Sequence, residues 1–457
     1  MFRFFNERRD YMQVIGIDIG TTTISIVLID KAANILKRKK TIAHDAFIQG
    51  ELPGQRVQDP QKLWKLVQQS IKELTAEFGM PDGIGLTGQM HGMLYVDAQG
   101  EAVSPLYTWQ DRSGDVVMGD KTTCAQLLKE RAGNVATGYG MATHFYLQRL
   151  EKIPPHAVKM VTISDYIGMK LCGRADPVIG LDMAASWGCF DLETGDFFRR
   201  QLMELGVDLS YLPNLMAHHG CIGKTPGGVP VTVSMGDNQA SAAGSAHDLS
   251  STVVLNIGTG GQISFGVNKY LHCKGSVELR PYLNGTYLMT GSSLCGGRAY
   301  GMLEQFYREI AGNGTQASHK GNLYEVMERQ ARDFLKEHGM DEAWKIRTTF
   351  AGTRSNPAEK GCIYGISADN FHPGAMTLGM MQGILEELHE MYRQMCDMAG
   401  KKAGHLVGSG NGIRKNALMR ELAEELFGMD MEIPQYEEEA AYGAALYAVT
   451  ERDSKYS

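Results

Sequence analysis

Two short stretches of this chain could grip a phosphate. Residues 14–29 read VIGIDIGTTTISIVLI and residues 253–265 read VVLNIGTGGQISF. In each, an apolar run enters a Gly-Thr turn and a second apolar run leaves it. Ile19-Gly20-Thr21 matches Ile257-Gly258-Thr259, and Asp18 matches Asn256. Glycine lets a ligand approach the backbone amides, and successive N–H groups at such a turn form an anion-binding nest. Threonine hydroxyls at 21, 22 and 259 add donors. Asp18 cannot help a bare phosphate, but it suits hydrated Mg2+, which takes one or two carboxylates together with phosphate oxygens. Either stretch alone is equally an ordinary β-hairpin. The matched pair points to two related halves holding one nucleotide.

A second group of residues suits a hydroxylated substrate. A strand-like run at 231–235 delivers Gly236-Asp237-Asn238-Gln239. A carboxylate within hydrogen-bond reach of a hydroxyl can take its proton as the oxygen attacks a γ-phosphate, and Asp237 is the candidate base. A helix N-cap is the alternative for Asp237, because the small residues at 240–246 (ASAAGSA) read as a helix start. Gln89, His91, Asp111 and Asp237 supply polar contacts for a sugar, and Trp109 or Trp187 a flat apolar wall. His91 by itself equally suits a structural histidine. The glycine-rich 408–412 (GSGNG) could pass beneath an adenine or ribose, a plain tight turn being the alternative. The chain has no GxxxxGK[ST] motif and no protein-kinase HRD or DFG set, so ATP would have to be held by the two hairpins.

The elements that must position these residues alternate between strand and helix. Asp59-Pro60 opens a helix as N-cap and first helical residue, Leu63, Trp64, Val67, Ile71, Leu74 and Phe78 recur at helical spacing, and Gly79 ends it. Residues 83–89 (GIGLTGQ) read as a short buried strand running into Met90-His91-Gly92. Strand–helix–strand order argues for α/β layering, and ligands bind such folds past the strand ends. Residues 100–220 read as irregular. A domain boundary falls near 247, giving an extension at 1–13, a first domain at 14–246 and a second at 247–457. In the second, 375–399 reads as a long amphipathic helix closed by Gly400, followed by a strand at 405–407 and a helix at 416–427.

The 457 residues exceed one hydrophobic core, and 43% apolar with 21% charged residues is an ordinary globular balance. The net charge of −7 disfavours nucleic acid or an anionic membrane as the main partner. No run reaches membrane-spanning length, and residues 1–13 lack the apolar core of a signal peptide, with Met12 an alternative start. A cytoplasmic location is expected. The eight cysteines form no CxxC and read as reduced thiols.

As an ordered set, Asp18-Ile19-Gly20-Thr21-Thr22, Gly88-Gln89-Met90-His91-Gly92, Trp109-Gln110-Asp111, Gly236-Asp237-Asn238-Gln239, Ile257-Gly258-Thr259 and Gly408-Ser409-Gly410 with 440–445 resemble the FGGY carbohydrate kinases. Thr108-Trp109-Gln110-Asp111, the segment at 136–143 and 184–188 (AASWG) are most similar to the members acting on sedoheptulose. The resemblance implies an α/β fold of two actin-like, ribonuclease-H-like ATPase domains with an interdomain cleft. It implies Mg2+-dependent transfer of phosphate from ATP to a ketose hydroxyl, with sedoheptulose going to its 7-phosphate. Xylulose or another pentulose is the near alternative, and a non-enzymatic actin-like ATPase or sugar sensor the distant one. By the same resemblance Asp237 is the general base and Asp18 holds the metal. Gly20, Thr21, Thr22, Gly258 and Thr259 hold phosphates, while Gly408, Gly410, Asn411 and Asn416 lie by the nucleoside. Gln89, Met90, His91, Trp109, Asp111, Asp237 and Asn238 meet the sugar. The chain departs from the family in Ser409 and Asn411, where many members have Gly or Ala, and in Gly260-Gly261, where bulkier residues are common. A homodimer is compatible with the resemblance.

Overall fold

Residues 14–17 are buried on both strand faces, as in a strand covered from each side, and they lie within β1 (Gln13–Ile19), at the heart of a sheet. The computed structural model describes residues 12–118, 121–217, 219–312, 322–353, 356 and 358–450. Most of the expected N-terminal extension, Met1 included, lies outside the described residues, as do 451–457. The chain divides into two compact units. The first holds residues up to Gly244, Pro281–Gly285 and the stretch from Glu438, and the second holds Ser245–Arg280 and Thr286–Glu437.

In the first unit β1 pairs antiparallel with β2 (Thr23–Asp30), which pairs antiparallel with β3 (Ile35–Ala43). On its other side β1 runs parallel to β4 (Gly83–Gly88), and β4 parallel to β5 (Pro230–Thr232) and β6 (Met235–Gly236). Ile15, Ile17 and Ile19 point into one core with Leu63, Val67, Ile84 and Leu86. Each of these isoleucines is at most 1% exposed, and burying such a side chain contributes roughly 1.5–3 kcal/mol. The first helix, α1 (Pro60–Phe78), forms as its spacing predicts. Asp59 caps it by accepting from Gln61 N at 2.9 Å and Lys62 N at 3.2 Å, and Gly79 stops it.

The stretch read as irregular is built instead from short elements, including α2 (Cys124–Ala132), α3 (Gly140–Arg149), α4 (Ile163–Cys172) and α5 (Leu181–Ser186). Many of them close over a core of their own around Tyr95, Leu128, Phe145, Trp187 and Phe197. Next comes α6 (Asp237–Ser245), which the C-terminal helix (Glu439–Leu446) crosses at backbone contact. A Cβ at Gly443 would stand 1.9 Å from the carbonyl oxygen of Ala240, so only glycine permits that crossing.

The second unit repeats the five-strand core of the first unit's sheet. Its β7 (Thr252–Ile257) pairs antiparallel with β8 (Gly261–Val267), β8 antiparallel with β9 (Tyr287–Ser293), and β7 parallel with β10 (His405–Ser409), which runs parallel to β11 (Met431–Glu432). Its helices include α7 (Gly296–Gly312), α8 (Pro373–Ala399) and α9 (Ala417–Phe427). The long helix expected at 375–399 begins two residues earlier, capped by His372, and ends at Gly400 in the left-handed region. All eight cysteines are free thiols. Among the described residues no helix is long and apolar enough to cross a membrane.

Candidate active site

Three strand ends meet at one edge of the first unit. Ile19 of β1 lies opposite Gly88 of β4, and Gly236 of β6 lies opposite Gly88 from the other side, all three strands being parallel. Gly20-Thr21, Gln89-Met90-His91 and Asp237-Asn238 therefore leave the sheet side by side, past its carboxyl ends, where α/β sheets bind ligands.

Side chains lock these ends together. The carbonyl of Thr21 accepts from Gln58 Nε2 at 2.7 Å, and Gln58 Oε1 accepts from Gln89 Nε2 at 3.0 Å. The Thr21 hydroxyl accepts from Trp109 Nε1 at 3.0 Å. Trp109 is 48% exposed, while Trp187 is fully buried with its indole N–H on the carbonyl of Gly92. Of the two candidate walls, Trp109 is thus the exposed one. Met90 is buried against the strand end before Asp237, where a Cβ on Gly236 would stand 2.7 Å from its sulfur.

His91 sits at φ 72°, a left-handed conformation that a non-glycine residue adopts only under constraint. Its ring stacks on Tyr139 at 4.2 Å between centroids. Nδ1 lies 2.6 Å from the carbonyl of Ser186, and the backbone N–H donates to Ser186 Oγ at 3.1 Å. A carbonyl only accepts, so Nδ1 carries a proton, which leaves Nε2 as the acceptor in the uncharged form of the ring.

Asp111 has no solvent exposure. Its oxygens accept from the backbone N–H of Arg56 at 3.1 Å and of Ser113 at 3.0 Å, so it pins the loop carrying Trp109. Burial pushes its carboxyl above the usual range. Asn238 is buried and Asp237 partly so, its Oδ1 accepting from Asn238 N at 2.7 Å.

Asp18 differs from all of these. Its Oδ1 is buried without a hydrogen-bond partner. Burial first, then the charges of Asp237 and Glu438, push its carboxyl up to about 7. A carboxylate oxygen left unpaired among like charges is the environment a divalent cation relieves. The described residues hold no cluster of three or more His, Cys, Asp or Glu fit for a metal. Mg2+ needs only one or two carboxylates when phosphates complete its shell. The residues present therefore fit the metal that the family resemblance implies.

In the second unit β7 and β10 are parallel, with Asn256 opposite Ser409, so Gly258-Thr259 and Gly410-Asn411 also emerge at one sheet edge. Gly410 has φ 80°, and a Cβ there would stand 2.5 Å from the carbonyl of Ile257. Thr259 and Asn411 are exposed. Asn416 is 8% exposed and caps α9, accepting from Met419 N at 2.9 Å. Ser409 is fully buried with an unpartnered hydroxyl.

Several residues escaped the sequence reading. The start of α7 folds onto the second Gly-Thr turn, Gly297 N donating to the carbonyl of Gly258 at 2.9 Å and Arg298 N to that of Thr259 at 2.8 Å. A Gly-Gly pair between a strand and a helix was the available signal. Gln58 and Asp182 carry no motif, Ser186 lies in the 184–188 segment without an assigned role, and only the folded chain brings them to the site.

Comparison with known proteins agrees with this architecture. The profile of the FGGY family of carbohydrate kinases matches twice, its N-terminal domain over residues 13–254 and its C-terminal domain over 257–451. A sedoheptulokinase from Mus musculus is 27% identical over 94% of this chain and 96% of its own. A xylulose kinase from Staphylococcus epidermidis is 23% identical over 95% and 87%. Among solved structures, a ligand-bound xylulose kinase from Lactobacillus acidophilus superposes with a TM-score of 0.79 at 20% identity, covering 95% of this chain and 88% of that one. Two sheets of one topology, each presenting a Gly-Thr turn, and a profile match along nearly the whole chain lead to one conclusion: this protein belongs to the FGGY family of carbohydrate kinases.

Proposed function

We propose that the protein transfers the γ-phosphate of ATP to a ketose hydroxyl, sedoheptulose being the first candidate and xylulose or another pentulose the second. The observation that carries the reaction is the shared edge of β1, β4 and β6, which sets Asp18, His91 and Asp237 on neighbouring strand ends. Asp237 is the proposed base. It accepts the proton of the attacking hydroxyl while the oxygen bonds to the γ-phosphorus and the bond to the bridging β,γ-oxygen breaks. The products are a sugar phosphate and ADP. His91 Nε2, an acceptor in the tautomer fixed by Ser186, orients a sugar hydroxyl, and Trp109 lies along the sugar face. The turns at 20–22 and 258–259 hold phosphates, and Gly408, Gly410, Asn411 and Asn416 line the nucleoside. Asp18 would hold Mg2+, which when bound neutralises phosphate charge.

Sedoheptulose ranks first because the sedoheptulokinase relative is more similar over nearly its full length than the xylulose kinase relative. An ATP-consumption screen over five- to seven-carbon ketoses tests this, the highest kcat/KM being expected for sedoheptulose. A maximum at xylulose or ribulose would transfer the assignment to a pentulose, and no response to any ketose would overturn it. Asp237→Asn should lower kcat by about 100-fold or more while ATP binding, read by calorimetry, is retained.

A further inference from the structure

The ladder joining β4 to β6 ends at the pair Gly88 and Gly236. Residues 89–91 and 237 lie beyond that pair. One short helix reaches both. At the start of α5, Asp182 Oδ2 accepts from the backbone N–H of Gly236 at 2.8 Å, one residue before Asp237. At its end, the Ser186 carbonyl accepts from His91 Nδ1 and the Ser186 hydroxyl accepts from His91 N. That hydroxyl in turn donates to the carbonyl of Met183 at 2.7 Å, within the helix. The next residue, Trp187, is locked in the core and donates to Gly92. His91 needs this grip, since its left-handed backbone costs on the order of 1–3 kcal/mol and persists only when its surroundings over-determine it.

We propose that α5 is a positioning bracket, with Asp182 and Ser186 four residues apart setting the separation of the base at 237 from the sugar ligand at 91. The proposal rests on the kinase reading for its kinetic consequence, but the bracket itself is a matter of structure. Burial raises the Asp182 carboxyl to about 6, while backbone N–H donors, Gly236 first, favour its charged form. A second buried carboxylate reinforces the same strand end. Asp165 on α4 accepts from the hydroxyls of Ser234 and Thr162, the latter at 2.6 Å.

Asp182→Ala removes the acceptor and should lower kcat about 10- to 100-fold with the KM for ATP within about twofold, as misplacement of a base does. Asp182→Asn keeps an acceptor oxygen for Gly236 and should restore kcat to within about threefold of wild type. Ser186→Ala leaves the carbonyl contact but strips the backbone N–H of His91, and should raise the KM for the ketose several-fold with kcat largely kept. A general loss of stability would give neither the rescue nor the split between kcat and KM. Wild-type kcat in folded Asp182→Ala, or an Asn variant as impaired as Ala, overturns the bracket. If Asp182→Ala does not fold, Ser186→Ala decides, an unchanged ketose KM overturning it. If wild type turns over no ketose, the kinase reading fails alone and hydrogen–deuterium exchange judges the bracket. Uptake at 235–238 must then rise in Asp182→Ala but not in Asp182→Asn, and at 90–93 in Ser186→Ala, with β1 unchanged. Uptake equal to wild type in both segments overturns it.

Discussion

Asp18 and Asp165 show how two acids in similar burial differ in meaning. Burial pushes both up to about 7. Asp165 is satisfied by hydroxyls from Thr162 and Ser234, so its energetics are internal to the fold. Asp18 leaves one oxygen unpartnered and faces the charges of Asp237 and Glu438, so its energetics await a ligand. Spacing in the sequence singled out Asp18 because it precedes a Gly-Thr turn. It gave no sign of Asp165 or Asp182, whose partners are distant in the chain, nor that Asp111 would be enclosed by backbone donors. The raised Asp165 makes a prediction about pH. Its native carboxyl holds a proton that the unfolded chain has lost between about pH 4 and 7, so stability falls as pH rises through that window. Asp165→Asn should flatten the loss between pH 5 and pH 8 by roughly 2–3 kcal/mol. Urea midpoints at the two pH values measure it, and an unaltered slope would assign the titration elsewhere.

At the scale of elements, legibility followed length and capping. The bounds of α1 and α8 were readable because each is long, periodic and punctuated by proline and glycine. The two hairpins were readable because their apolar runs are unbroken. The short helices α3 and α4 were not, since ten residues buried nearly all round carry no amphipathic period. Elements also hold the phosphate turn of the second unit in place. Glu387 on α8 accepts from Ser293 Oγ at 2.9 Å and Thr348 Oγ1 at 3.0 Å, and Ser293 Oγ accepts from Cys295 N at 3.3 Å. Ser293 sits opposite Gly261 in the β8–β9 register, and from Cys295 the chain enters α7, whose first amides clasp Gly258 and Thr259. Glu387 is thus the anchor under the turn. Glu387→Leu removes the acceptor of Ser293 Oγ and leaves Thr348 Oγ1 only the Gly383 carbonyl at 3.5 Å, and should raise the KM for ATP about 5- to 20-fold, whereas Glu387→Gln, which keeps an acceptor oxygen, should stay within about threefold. Steady-state kinetics with ATP varied reads both, and equal KM values in the two variants would remove Glu387 from the support of the turn.

At the scale of the whole molecule, the repeated topology of the two sheets explains why one sequence motif occurs twice: each copy is the first hairpin of its own unit. The sequence motif does not disclose that the chain, having left the first unit at Gly244, comes back to it at Pro281–Gly285 and again from Glu438. The return is intimate. A Cβ at Gly16 would stand 1.9 Å from the carbonyl of Ala441, one at Gly85 1.9 Å from that of Ala444, and one at Gly244 2.0 Å from that of Glu439. The C-terminal helix therefore lies directly on β1, β4 and α6, covering the sheet face opposite the Ile15, Ile17 and Ile19 core. Leu283 and Tyr282 pack with Met235 and Ala240 beside it. Without these returning segments one face of β1 and β4 would be open, and a central strand apolar on both faces cannot stand half uncovered in water. A fragment of residues 1–246 should consequently be insoluble or lack cooperative unfolding. The same fragment with residues 438–450 fused through a flexible linker should recover a cooperative transition by near-ultraviolet circular dichroism. Cooperative unfolding of the bare fragment would show that β1 and β4 hold without their C-terminal cover, and the placement of Asp237 on α6 would then need no support from the far end of the chain.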